Sequence, residues 1–134
     1  LSLRHASPPK QLGISRPLPV PDLRGWYGNS ALWVGVPPDG VLPAQLDPDS
    51  PGDWTTKVPW WRVRHGAMTV SAVRLDGPTG NFRATVGTVA EYGEFGLDTS
   101  ELVWPSLGCW QVTATVARHS LTIVMRVQAV RSAR

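Results

Sequence analysis

A chain of 134 residues with one cysteine fits a single domain that can bury a core without disulfides or metals. Thirteen basic and ten acidic residues leave a net charge of +3, and the basic ones are scattered rather than gathered in a stripe, which argues against nucleic-acid binding. No run of eighteen apolar residues predicts a membrane-spanning helix, and thirteen prolines and thirteen glycines interrupt every candidate for a long helix.

In chain order, residues 1–23 carry Pro8, Pro9, Pro17, Pro19 and Pro21 among polar and small residues. They read as an extended N-terminal tether, with a short edge strand near Leu12–Ser15. A β domain is expected over 24–130, followed by a tail at 131–134. Leu32, Val34 and Val36 alternate with Ala31, Trp33 and Gly35, the period-two pattern of a strand. Pro37-Pro38-Asp39-Gly40 is a turn, and Val41 and Leu42 start a returning strand. Lys57–His65 predicts a strand at a sheet edge, because Pro59 lacks the N–H that an interior ladder uses. Met68–Leu75 and Phe82–Val89 predict two more strands. Glu91–Gly108 is glycine-rich and reads as an irregular crossover, extended only near Leu102–Trp104.

The clearest signal lies at the end. Trp110, Val112, Ala114 and Val116 alternate with Gln111, Thr113 and Thr115, and Leu121, Ile123, Met125, Val127 and Ala129 resume the pattern after an Ala117–Ser120 turn. This is a closing hairpin. Seven to eight short strands with no helical period predict an all-β fold, an antiparallel two-sheet sandwich of immunoglobulin-like character, with a closed barrel as the alternative.

Three runs also carry a resemblance: Trp26–Leu42, Lys57–Gly77 and Tyr92–Val127. In them a Trp60-Trp61-Arg62 strand precedes an Arg74-Leu75-Asp76 strand end, and Pro105, Gly108, Cys109 and Trp110 open the last hairpin. They resemble a group of uncharacterised bacterial extracytoplasmic β-sandwich proteins, many of them predicted lipoproteins. The resemblance implies a secreted or membrane-anchored domain outside the cell and carries no catalytic residue.

The chemistry-bearing residues are sparse. His5, His65 and His119 accompany several Ser and Asp residues without a nucleophile-elbow motif, so no enzyme is expected. Asp47, Asp49 and Asp53 lack the spacing of a calcium loop. His65 with Met68, and Cys109 with His119 and Met125, do not form a compact metal motif. No cofactor and no metal are expected, and Cys109 reads as a buried structural thiol. Tryptophan is the one excess, at seven residues. Trp110, Trp33, Trp61 and Cys109 are assigned to the structural core. Trp60 shares its strand face with Arg62 and Arg64 and is assigned to the surface, and Trp60, Arg62, Trp26 and Trp54 are the candidate binding residues. The expected function is a non-enzymatic interaction or accessory module at the bacterial cell surface, with a protein or glycan partner. A carbohydrate-binding module is the alternative, and a small hydrolase or metal-binding protein comes third.

Overall fold

The structure, a computed structural model, describes residues 25–37 and 39–130. The tether at 1–23, its edge strand and His5, and the tail at 131–134 lie outside the described residues. Nine strands are described: β1 (Gly25–Gly28), β2 (Leu32–Val36), β3 (Val41–Leu46), β4 (Trp54–Arg62), β5 (Met68–Arg74), β6 (Arg83–Val86), β7 (Gly96–Trp104), β8 (Gly108–Val116) and β9 (His119–Ala129). One helical turn, α1 (Val89–Tyr92), precedes β7. The fold is all-β, as the strand patterning predicts.

Hydrogen bonding joins all nine strands into one mixed network. One ladder runs β1-β2-β4-β7-β6, another runs β3-β9-β8-β5, and β3 is bonded to both. The first part of β3 pairs in parallel with β9, and its last two residues, Gln45 and Leu46, pair antiparallel with the start of β4. The two ladders share one core. Val34, Val58, Trp60, Leu102 and Trp104 from the first meet Leu42, Trp110, Val112, Ile123 and Met125 from the second. At its centre the rings of Trp104 and Trp110 pack edge to face with centroids 5.2 Å apart, the arrangement their quadrupoles favour. Each indole N–H is satisfied, Trp104 Nε1 donating to Thr56 Oγ1 and Trp110 Nε1 to the Ser106 carbonyl.

The expected strand at Lys57–His65 shifts to Trp54–Arg62 and is central rather than at an edge. Pro59 is tolerated there for a local reason. The Thr99 carbonyl, opposite Pro59, accepts from Gly87 N on the far side of β7, so Pro59 and Thr99 form a non-hydrogen-bonded pair. The missing N–H of Pro59 therefore points toward β2, whose ladder with β4 stops one residue earlier, at Val34 and Trp60. The proline thus sits where the β2–β4 ladder ends, and the ladder with β7 is left whole.

The irregular crossover expected at Glu91–Gly108 contains a nine-residue strand, β7, which pairs with β4 along its whole length. Its alternation is hidden because two of its inward residues are polar, Asp98 and Ser100. The end of the strand expected at Phe82–Val89 is instead taken by α1. Thr88 caps this turn reciprocally with Glu91, a capping box spelled out in the sequence as Thr88-Val89-Ala90-Glu91.

The closing hairpin forms as expected, with Trp110, Val112, Ala114, Val116, Ile123, Met125 and Val127 all buried. Its turn is tighter than the expected four residues. Val116 pairs with His119, which leaves Ala117 and Arg118 as a two-residue loop, both at positive φ (47° and 72°). That conformation favours Asn-Gly over Ala-Arg, because glycine lacks a Cβ and the short asparagine side chain bonds to the local backbone. Replacing Ala117 and Arg118 with Asn and Gly should raise the unfolding free energy by about 0.5–1 kcal/mol, read as a higher urea midpoint at unchanged slope; a lower midpoint would show that the loop is not held in this form.

Candidate functional site

Arg62 ends β4 with its side chain inside the protein, at 0% exposure. Its guanidinium gathers the carbonyls of the segment that leads into β7. It donates to the carbonyl oxygens of Gly93 (2.9 Å), Gly66 (3.0 Å), Tyr92 (3.1 Å), Gly96 (3.3 Å), Leu97 (3.3 Å) and Phe95 (3.4 Å). Arginine suits this cage because its planar fork carries five fixed donors and keeps its charge when buried. Asp98 Oδ2 lies 3.7 Å from Arg62 Nη1, close enough for charge attraction and too far for a hydrogen bond, and Asp98 Oδ1 accepts from Thr99 N at 2.8 Å. Burial raises the Asp98 carboxyl above the usual carboxylate range, against the opposing pull of the Thr99 N–H and of Arg62.

The buried cation fixes which way β4 faces. Side chains alternate along a strand, so Arg62, Trp60, Val58 and Thr56 point into the core and Trp61 and Pro59 point to the outer face. The expected assignment of the two tryptophans is thus reversed. Trp60 is buried, its Nε1 donating to Ser100 Oγ at 2.8 Å. Trp61 is only half-buried, on the outer face, with its indole N–H lacking a hydrogen-bond partner. Neither Trp60 nor Arg62 is a surface anchor. An arginine in the sequence implies a solvated side chain, whereas here the loop carbonyls solvate Arg62 from within.

An aromatic band covers the outer face of β1, β2 and β4. Trp26 pairs with Gly35 and Trp33 with Gly28 across β1 and β2. A Cβ on Gly28 would come within 2.6 Å of the Trp33 ring, and one on Gly35 within 3.5 Å of the Trp26 ring and 3.0 Å of Pro59. Each indole therefore covers a glycine of the neighbouring strand. The sequence holds the signal as a repeated Trp-x-Gly, Trp26-Tyr27-Gly28 and Trp33-Val34-Gly35. Trp33 is buried in this band rather than in the central core. It pairs in turn with Trp61, whose ring meets Phe95 edge to face at 6.4 Å, and the His65 ring stacks on Phe95 at 5.2 Å. Phe95 is 49% exposed. Sequence periodicity hides it, because it stands on a loop and owes its position to Arg62.

Beside the band, an open groove runs over Pro59 and Thr99 between Lys57, Thr85, Glu101 and the Tyr92 ring. Tyr92 Oη lies 3.0 Å from Thr99 Oγ1, and a Cβ on Gly87 would run into the Tyr92 ring and Asp98 Oδ1. Trp26, the remaining outer-face candidate, is half-buried; Trp54 packs against the core and is not part of the band.

The other motifs fall elsewhere. Arg74 Nε donates to Asp76 Oδ1 at 2.9 Å, Cys109 N donates to the same oxygen at 3.1 Å, and Arg74 Nη1 donates to Ser106 Oγ. The Arg-Leu-Asp strand end thus joins the Gly-Cys-Trp strand start. Cys109 is half-exposed rather than buried. Asp47 Oδ1 accepts from Asp49 N, and Asp53 pairs with Arg83 of β6 at 3.1 Å, which ties the acidic loop to that strand. Among the described residues no three His, Cys, Asp or Glu side chains are grouped to hold a metal, and no helix is long and apolar enough to cross a membrane. Compared with known proteins, the chain matches no family model, no curated protein and no solved structure.

Two outcomes test the cage. Arg62→Met should destabilise the domain by about 3–5 kcal/mol, the cost of stranding a buried partner, and should speed amide hydrogen exchange over residues 92–97; slow exchange there would show that the loop stands without it. For Asp98, a folded-state pKa above the unfolded one means that the native state holds a proton the unfolded chain has released. The stability it contributes is fully present below the unfolded value, about 3.9, and is lost as pH rises through the folded value. Urea titrations of the wild type minus Asp98→Asn should show this decline from about pH 4 upward, and a flat difference would contradict the burial of the carboxyl.

Proposed function

We propose that this protein is a non-enzymatic interaction module built on an immunoglobulin-like β-sandwich, and that it binds a protein partner through the aromatic band on the outer face of β1, β2 and β4. The strand order supports the sandwich. Its two ladders share one core, β2 and β3 divide between them, and β3 lies parallel to the last strand, a division of the leading strands compatible with an immunoglobulin-like frame. The position outside the bacterial cell rests on the resemblance of the Trp-Trp-Arg and Gly-Cys-Trp runs.

The observation that carries the binding reading is Phe95. A large apolar ring held half-exposed by a buried cation, stacked on His65 and backed by Trp61, has the features of a binding anchor: it is aromatic, rigid and bordered by polar groups. A protein partner fits better than a sugar, because Phe95 meets Trp61 edge to face and its one stacked face is taken by His65.

The test is a photo-crosslinking residue at position 95 in the producing cells, with and without Trp61→Ser. One discrete protein adduct that disappears with Trp61→Ser is expected. Purified Phe95→Ser should keep its unfolding free energy within about 0.5 kcal/mol, as surface substitutions do. Absence of an adduct, together with saturable quenching of tryptophan fluorescence by glycans, would replace the protein partner with a carbohydrate.

A further inference from the structure

The open edge of β5 is a second surface, on the other ladder and independent of the aromatic band. Among the described residues β5 pairs only with β8. The direction of its backbone groups follows from two bonds. Leu75 N donates to the Cys109 carbonyl at 2.8 Å, toward β8, while Arg74 N donates to Thr79 Oγ1 at 3.2 Å, on the opposite side. Backbone groups alternate along a strand, so the N–H and C=O of Val70 and Ala72 point away from β8. Among the described residues no strand bonds to them.

Natural sheets blunt such an edge with lysine, proline, a bulge or a very short strand. None of these protects β5, and β6, its neighbour across the core, bonds to β7 and not to β5. Met68-Thr69-Val70-Ser71-Ala72-Val73 is uncharged, has no proline, and forms a regular seven-residue strand with Arg74. On its outer face Thr69 and Ser71 are exposed, and Val73 and Leu75 are 54% and 52% exposed. The other edge strand of known length, β6, has only four residues and carries Arg83.

We propose that β5 pairs antiparallel with β5 of a second copy of this chain, about a two-fold axis through Ser71, so that the β3-β9-β8-β5 ladder continues across the dimer. A two-fold axis needs a self-complementary strand, and this one qualifies. With Ser71 opposite its own counterpart, Val70 faces Ala72 of the second copy, and both belong to the set with outward backbone groups. Val73 then lies beside Thr69, a β-branched pair on the exposed face. The uncharged run puts no like charges together, and the register ends where Thr79 takes the Arg74 N–H.

Sedimentation equilibrium of the wild type, Ser71→Lys, Ser71→Glu and an equimolar mixture of the two variants tests this. The wild type should dimerise in a concentration-dependent way within the range up to ~1 mM. Either variant alone sets like charges against each other across the axis and should weaken dimerisation at least ~10-fold. The mixture should recover as a heterodimer. Ser71 is exposed, so both variants should melt close to the wild type, and a monomeric variant that had unfolded would be recognised by its circular dichroism. In that event Ser71→Cys in a Cys109→Ser background, which should form a disulfide-linked dimer on oxidation where Thr69→Cys should not, decides the register. A wild type that stays monomeric, variants that dimerise as the wild type does, a mixture that fails to recover, or equal cross-linking at 69 and 71 would each overturn the proposal.

Discussion

A charge held inside the protein sets the geometry of half this domain. An arginine stripped of water costs several kcal/mol unless its donors are matched, and the chain matches those of Arg62 with backbone carbonyls from one short segment and Gly66. Once Arg62 points inward, β4 has no choice of face. Trp60 must enter the core, Trp61 must leave it, and the loop that satisfies the guanidinium must pass beside Trp61. The exposed position of Phe95 follows from the same constraint. Fold and candidate surface thus share one cause.

The parts of this architecture legible in the sequence are those where inside means apolar. The closing hairpin is of this kind, with every inward position from Trp110 to Val116 a hydrophobe. Strand β7 breaks the rule. Its inward residues begin with Gly96, Asp98 and Ser100, and only the contacts that those side chains make, with Arg62 and with the Trp60 indole, explain why they can be there. No local pattern can reveal a polar residue whose partner lies some forty positions away. The same blindness reverses Trp60 and Trp61, since an arginine beside a tryptophan reads as surface until its acceptors are known. Pro59 misleads differently: whether it is tolerated depends on which side of the strand its missing N–H faces, and that is a matter of pairing.

The two outer faces have contrasting chemistry. On the first ladder, indoles lie over glycines and exclude water from the strand backbone, which gives a stiff apolar surface. On the second, hydroxyls pair across strands, Thr113 with Thr122 at 3.1 Å and Thr115 with Ser120 at 2.9 Å, which gives a polar surface with few charges. An apolar face that is fixed in shape suits one partner, whereas a polar face beside an open strand edge suits association through backbone groups. The two proposed modes of contact therefore lie on separate ladders.

Strand β3 has one further consequence. It is among the first strands to leave the ribosome, yet its parallel partner β9 is the last of the described strands to be made. Through most of synthesis the edge of β3 and the apolar side chains of Leu42 and Ala44 beneath it have no neighbour to close against. The domain can thus close only late, once β9 is available to enter between β3 and β8. Until then that edge of β3 is open to pairing with another chain.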